Sequence, residues 1–182
     1  IVMNFKKIVG LFLVTGFSIS VQAQKDGYWD KTRATTEEIT VSARNRIGRK
    51  TQDFPEGTTE VVFRITLLDK NQQMAGSLVS VLKAIPDPTG ISQGSAGALF
   101  ILSKISGDDK CNYAVFSSSD LAEKYKVNGE TDAACWVQNT PVSKDAKRFS
   151  VDKSACMQSN TTNMWFGFES KNWMMDQKIV LE

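Results

Sequence analysis

Three cysteines, no histidine and a scatter of acids and indoles bound the chemistry open to this chain of 182 residues. Without histidine it lacks the usual general base of serine and cysteine hydrolases, the commonest zinc ligand and any HExxH site. An enzyme built from it would have to work with carboxylates, Lys, Tyr, Cys or Ser. The acids to inspect are Asp108, Asp109, Glu169 and Asp176, since paired carboxylates would suit a secreted carboxylate-dependent hydrolase. Asp108-Asp109 also offers hard oxygen ligands to calcium, but adjacent acids lack the interleaved spacing of an EF-hand and read as a solvated turn. Gly94-Ser95-Ala96-Gly97 has neither the GxSxG of a nucleophile elbow nor the GxxxxGK[ST] of a P-loop, and reads as a turn before an apolar run. No catalytic residue, metal site or cofactor is assigned.

Cys111, Cys135 and Cys156 are separated by 24 and 21 residues, which matches no CxxC metal or redox spacing. One structural disulfide with one leftover thiol is the simplest arithmetic. Three pairings are open on spacing alone, and Cys135–Cys156 is favoured because the polar stretch between them can turn the chain back. Tyr28, Trp29, Trp136, Trp165 and Trp173 are many large rings for a chain of this size. Flat rings are what sugars and peptides stack on, so Trp29, Trp136 and Trp173 are the candidate ligand-binding residues. The alternative is that alternating strand positions bury them.

The elements that must position these groups are mostly strands. Ile39, Val41 and Ala43 alternate with Thr40 and Ser42, and a polar strand is expected through Ile47 to Phe54. Pro55-Glu56-Gly57 makes a turn. From Thr59 to Leu68, Val61, Phe63, Ile65 and Leu67 face one way and Val62, Arg64 and Thr66 the other. The period then changes. Met74, Leu78, Val81, Leu82 and Ile85 form one stripe on a helix over Asn71 to Ile85, ended by Pro86 and Pro88 and expected to pack on the sheet. The run at 98–105, beginning Ala98-Leu99-Phe100-Ile101-Leu102, reads as a strand covered on both faces. Tyr113 to Phe116, Cys135 to Val137 and Arg148 to Val151 add short strands. A second, short helix is expected at Asp120 to Lys126, capped by Ser118 or Ser119 and stopped by Asn128-Gly129. Met164 to Phe168 and Met175 to Leu181 read as a hairpin. The fold class is mainly β: an antiparallel sheet or sandwich, paired sequentially, with one packed amphipathic helix and a second short one.

Residues 1–23 read as a secretory signal peptide. Lys6 and Lys7 precede an apolar run from Ile8 to Val21, and Val21-Gln22-Ala23 suits a signal peptidase. The run is shorter than the ~20 residues that span a bilayer. Cleavage leaves 24–182 as one secreted or periplasmic, cell-surface β-rich domain with no stable membrane insertion. The last run reaches Glu182 with no tail, which fits a piece of a longer protein or a cloning remnant at Leu181-Glu182. Removing Lys6 and Lys7 takes the 22 cationic residues to 20, equal to the 20 acids. A neutral chain exerts no overall pull on nucleic acid, and the cluster Arg44, Arg46, Arg49 and Lys50 reads as a solvated strand pair. Asn160-Thr161-Thr162 is a glycosylation sequon.

Gly57-Thr58-Thr59-Glu60-Val61-Val62-Phe63-Arg64-Ile65-Thr66, Trp165-Phe166-Gly167-Phe168 and Gln177-Lys178-Ile179-Val180-Leu181 resemble parts of an exported module of secreted Bacteroidota proteins, a domain of unknown function. Signal peptides that end in Ala followed by Gln, as Ala23-Gln24 does here, are common there. The resemblance implies export and carries no activity to any residue. The expected function is a non-enzymatic exported module that binds an extracellular or cell-envelope ligand, or a structural accessory. The competing class is the hydrolase.

Overall fold

The computed structural model describes residues 34–68, 109–151, 154–157 and 160–182. These form eight strands and one helix: β1 (Glu37–Val41), β2 (Arg46–Lys50), β3 (Glu60–Leu67), β4 (Cys111–Phe116), α1 (Ser119–Asn128), β5 (Trp136–Val142), β6 (Lys144–Ser150), β7 (Trp165–Ser170) and β8 (Gln177–Leu181). They pair into two antiparallel four-stranded sheets, ordered β1-β8-β3-β6 and β2-β7-β4-β5. The expected helix over 71–85 and strand over 98–105 lie outside the described residues.

Two expectations about pairing are overturned. The closing strands are not a hairpin: β7 pairs with β2 and β4, whereas β8 pairs with β1 and β3 in the other sheet. Residues 171–176 therefore carry the chain from one sheet to the other. Sequential pairing also fails, because β4 with β5 is the only pair of consecutive described strands bonded to each other. The chain changes sheets between β1 and β2, and again at Ser143 between β5 and β6.

Alternating side chains of both sheets fill a common core. Phe63 of β3 meets Tyr113 and Phe166 of the other sheet edge-on, with centroids 5.9 and 4.9 Å away, and stacks on Phe149 of β6 at 5.8 Å. Ile39, Val41, Ile65, Leu67, Phe168 and Ile179 complete the same cluster. Edge-to-face rings add to the burial of their area. One polar group crosses this core: the Tyr113 hydroxyl donates to Asp145 Oδ2 at 2.6 Å, and Lys147 Nζ lies 2.5 Å from Asp145 Oδ1. A buried carboxylate with these partners and the N–H of Ala146 on Oδ1 is satisfied rather than stranded.

The helix lies on the far side of the second sheet, packing on β2, β7 and β4. Ala122 and Tyr125 bury against Ala114 and Phe116. Ser118 occupies the cap position with extended backbone, though its side chain makes no capping bond. Gly129 ends the helix at φ 79°, its N–H donating to Tyr125 O at 2.8 Å, a left-handed cap that glycine adopts without strain. Gly57 does likewise at the expected turn, with φ 78°.

The disulfide is Cys135–Cys156, Cα atoms 5.2 Å apart, and Cys111 is a buried free thiol. Burial, helped by the charge of Asp145, pushes the Cys111 thiol up to about 12, and the same two causes raise the Tyr113 phenol. Both groups hold their protons more tightly folded than unfolded. The stability they contribute is whole below the unfolded thiol value of 9.0 and is lost as pH rises toward about 12. Guanidinium midpoints should therefore hold level to about pH 9 and fall above it, with Cys111 inert to iodoacetamide throughout the level range. A midpoint unchanged through pH 11 would contradict this.

Candidate functional site

The β7–β8 connection stands out because it exposes what most chains bury. Trp173 is 73% exposed, Met174 89% and Met175 62%. Neighbouring polar groups hold the segment. Asn172 is its hub: Nδ2 donates to Asp109 Oδ1 at 3.0 Å, its backbone N–H to Ser170 Oγ at 3.3 Å, and its Oδ1 accepts the Met174 N–H at 3.4 Å. Beside it lies the β1–β2 turn. The Arg44 N–H donates to Asn172 O at 3.1 Å and the Ser170 N–H to Asn45 O at 3.0 Å. Arg44 adopts φ 55°, a left-handed conformation that costs a non-glycine residue of the order of 1 kcal/mol or more. That conformation accompanies a guanidinium placed 3.3 Å from the centre of the Trp173 ring. A cation over an indole face is attracted by the ring quadrupole. The result is a held indole with one face under Arg44 and the rest in solvent.

Charges around this tip are largely satisfied. Glu169 sits beneath it, bonded to Arg46 at 2.9 Å, to Lys171 at 2.8 Å and to Asn112 at 3.2 Å. Burial alone would raise the Glu169 carboxyl, but the hydrogen bond and charge of Lys171 and the charge of Arg46 outweigh it and hold the group below its ordinary value. A carboxyl held ionised is the opposite of a general acid. Asp109 is engaged by Asn172, and Asp176 is exposed. Asp108 lies outside the described residues. Among the described residues no three acids or cysteines gather in a way that would hold a metal ion.

The three indoles picked from sequence do not converge. Trp29 lies outside the described residues, as does Tyr28. Trp136 pairs across from Val115, near the end of β4, whereas Ser170, just before the tip, pairs with Cys111 at its start. About 13 Å of strand separates those positions. Trp136 is also half-buried against the core, its Nε1 shielded from solvent and the Lys147 ammonium 5.2 Å from its ring centre. It serves packing. Trp165 is half-buried and lines an open recess of about 460 Å³ between β2 and α1, whose walls include Arg49, Asp120, Glu123 and Lys126.

Sequence reasoning missed Arg44, Asn172 and Met174 as parts of a site. The sequence groups Arg44 with Arg46, Arg49 and Lys50; of these, Arg46 and Arg49 are half-buried on β2 and Lys50 is exposed, and the three pair with Glu169, Glu37 and Asp53. The available signal was Ala43-Arg44-Asn45, a break between two strand patterns where Asn favours a turn. No protein-family model matches the chain, and comparison with curated proteins returns no match.

Proposed function

We propose that this chain is an exported, non-enzymatic binding module that takes saccharide of the extracellular space or cell envelope at the Trp173 tip. The observation that carries the reading is the exposed indole held under Arg44 on a hydrogen-bonded turn. A flat ring offers the C–H face of a sugar a stacking surface, and the guanidinium beside it offers planar donors to hydroxyl or carboxylate oxygens. Holding the indole before the ligand arrives reduces the ordering cost of binding. In this reading the two sheets form a β-sandwich that serves as a rigid mount, and residues 1–23 are removed as a signal peptide on export. The disulfide suits the oxidising compartment to which such a signal leads. Among the described residues no helix is long and apolar enough to cross a membrane.

The hydrolase reading draws no support from Glu169, whose carboxyl is held ionised by its cationic neighbours. The test is a glycan-array and peptidoglycan-sedimentation screen of residues 24–182 beside Trp173→Ala. Binding by the parent that is lost in the variant, at unchanged thermal midpoint, is the expected outcome. Binding of equal strength by both would refute the assignment.

A further inference from the structure

On the face of the second sheet that carries α1, Gly48 of β2 presents no side chain. A Cβ built there would meet, within 4 Å, only Ala122 Cβ at 4.0 Å. Gly48 lies opposite Gly167 and Lys50 opposite Trp165, so the Trp165 ring and the vacant Gly48 position are diagonal neighbours on one face. The open recess of about 460 Å³ lies there, a size usual for small-molecule sites. The Thr51 N–H donates to Met164 O and the Ser170 N–H to Asn45 O, so the odd-numbered residues of β2 bond β7, and Gly48 turns its N–H and C=O to the strand's free edge. Its C=O accepts from Arg49 Nη1 at 3.3 Å, and its N–H has no partner among the described residues. Two cations, Arg49 and Lys126, and two acids, Asp120 and Glu123, stand around the recess. Glu123 holds Lys126 at 3.0 Å and Arg49 reaches Glu37 at 3.3 Å, whereas Asp120 accepts, among the described residues, only from Ser119 Oγ at 3.3 Å.

From this we infer that the recess between β2 and α1 is a second binding site, separate from the Trp173 tip, for a neutral saccharide. Two cations and two acids give no net pull on a charged ligand. A sugar hydroxyl donates to a carboxylate and accepts from a guanidinium or an amide, so one neutral polyol serves Asp120, Glu123, Arg49 and the Gly48 N–H together. Its C–H face lies on the exposed flank of Trp165, in the room left by the missing Gly48 side chain. An acyl chain would instead set its methylenes against these four charges, at a desolvation cost. Trp165 is the first residue of β7 and the tip follows the last, Ser170, about 17 Å along the strand. A sugar ring in the recess therefore leaves the tip uncovered. An open recess with a single indole holds its ligand weakly, with a Kd on the order of 1 mM, below what an array or sedimentation retains.

The experiment follows the Trp165 NMR resonances of the full chain carrying Trp173→Ala, so that the tip contributes nothing. Cellotetraose, mannotetraose and N-acetylated chitotetraose are the probes, with tetragalacturonate as the anionic control. At least one neutral tetraose should shift the Trp165 resonances saturably, and Gly48→Leu, which fills the recess, should weaken that binding tenfold or more. Tetragalacturonate should bind at least tenfold more weakly than that tetraose. No shift from any neutral probe, an unchanged Kd in Gly48→Leu, or tighter binding of tetragalacturonate overturns the inference. Should Gly48→Leu fail to fold, Asp120→Ala with Glu123→Ala, both exposed on α1, should weaken binding fivefold or more, and an unchanged Kd there overturns the inference equally. The reading of the Trp173 tip stands or falls separately, since every arm of this titration lacks that indole.

Discussion

Replacing Cys135 and Cys156 together by serine is expected to lower stability by about 3 kcal/mol, the chain-entropy value for a loop of ~20 residues. The bridge closes residues 135 to 156, a sequence separation of 21, and that loop contains all of β5, the crossing at Ser143 and all of β6. Those two edge strands belong to different sheets, so in the reduced chain the arch that joins the sheets is free to open before the rest. For a domain of this size the thermal midpoint should fall by about 6–12 °C. Differential scanning calorimetry of the oxidised parent, the parent with reductant and the double variant measures it. The last two should agree, because buried Cys111 supplies no alternative bridge. A double variant that melts within 1 °C of the oxidised parent would show that the arch is held by its packing alone.

Gly167→Ala should be the most damaging single-methyl addition in the described structure. A Cβ built at Gly167 would lie 2.3 Å from Tyr125 Cδ1, 2.7 Å from Cε1 and 3.0 Å from Cγ, so the ring of α1 rests directly on the β7 backbone. Tyr125 is 4% exposed among Ala114, Phe116 and Ala122. Relief requires lifting the helix from the sheet, which puts the cost at about 3 kcal/mol, the upper part of the overpacking range. Gly48, under the same helix, offers the contrast: its added Cβ would meet Ala122 Cβ at 4.0 Å, an ordinary contact. Urea melts of Gly167→Ala, Tyr125→Ala and the double variant test the claim. The two should be strongly non-additive, the double variant losing little beyond Tyr125→Ala alone. Additive losses would mean that the ring does not sense the methyl group.

Local pattern made the individual strands legible, and long-range pairing stayed hidden. The alternation from Thr59 to Leu68 reads directly as β3, and the glycines at 57 and 129 mark a turn and a helix end because positive φ is theirs to take. The strand signal in the sequence spans only Cys135 to Val137, because Gln138-Asn139-Thr140-Pro141 has no apolar alternation. β5 continues to Val142 as an edge strand, the place in a sheet where proline is tolerated. The hairpin misreading has a similar origin: two strand patterns about six residues apart suit a hairpin locally, and nothing local says that Phe166 and Ile179 enter one core from opposite sheets. The turnable stretch between Cys135 and Cys156 favours that pair without fixing it, and the structure forms it. At the candidate site, Trp173 was visible as an indole and Trp136 equally so. The register of β4, with Val115 opposite Trp136 and Cys111 opposite Ser170, sets the two toward opposite ends of that strand, the first exposed and the second against the core.

Isothermal titration of the tightest-binding saccharide from the screen decides whether the held indole at the tip is the proposed ligand platform. Trp173→Ala should weaken the Kd on the order of thirtyfold, about 2 kcal/mol, as expected for removal of a dominant aromatic contact. Arg44→Ala should weaken it less, and Trp136→Ala should alter the thermal midpoint and leave the Kd in place. Equal affinities for the parent and Trp173→Ala, with both folded, would rule that role out for the indole.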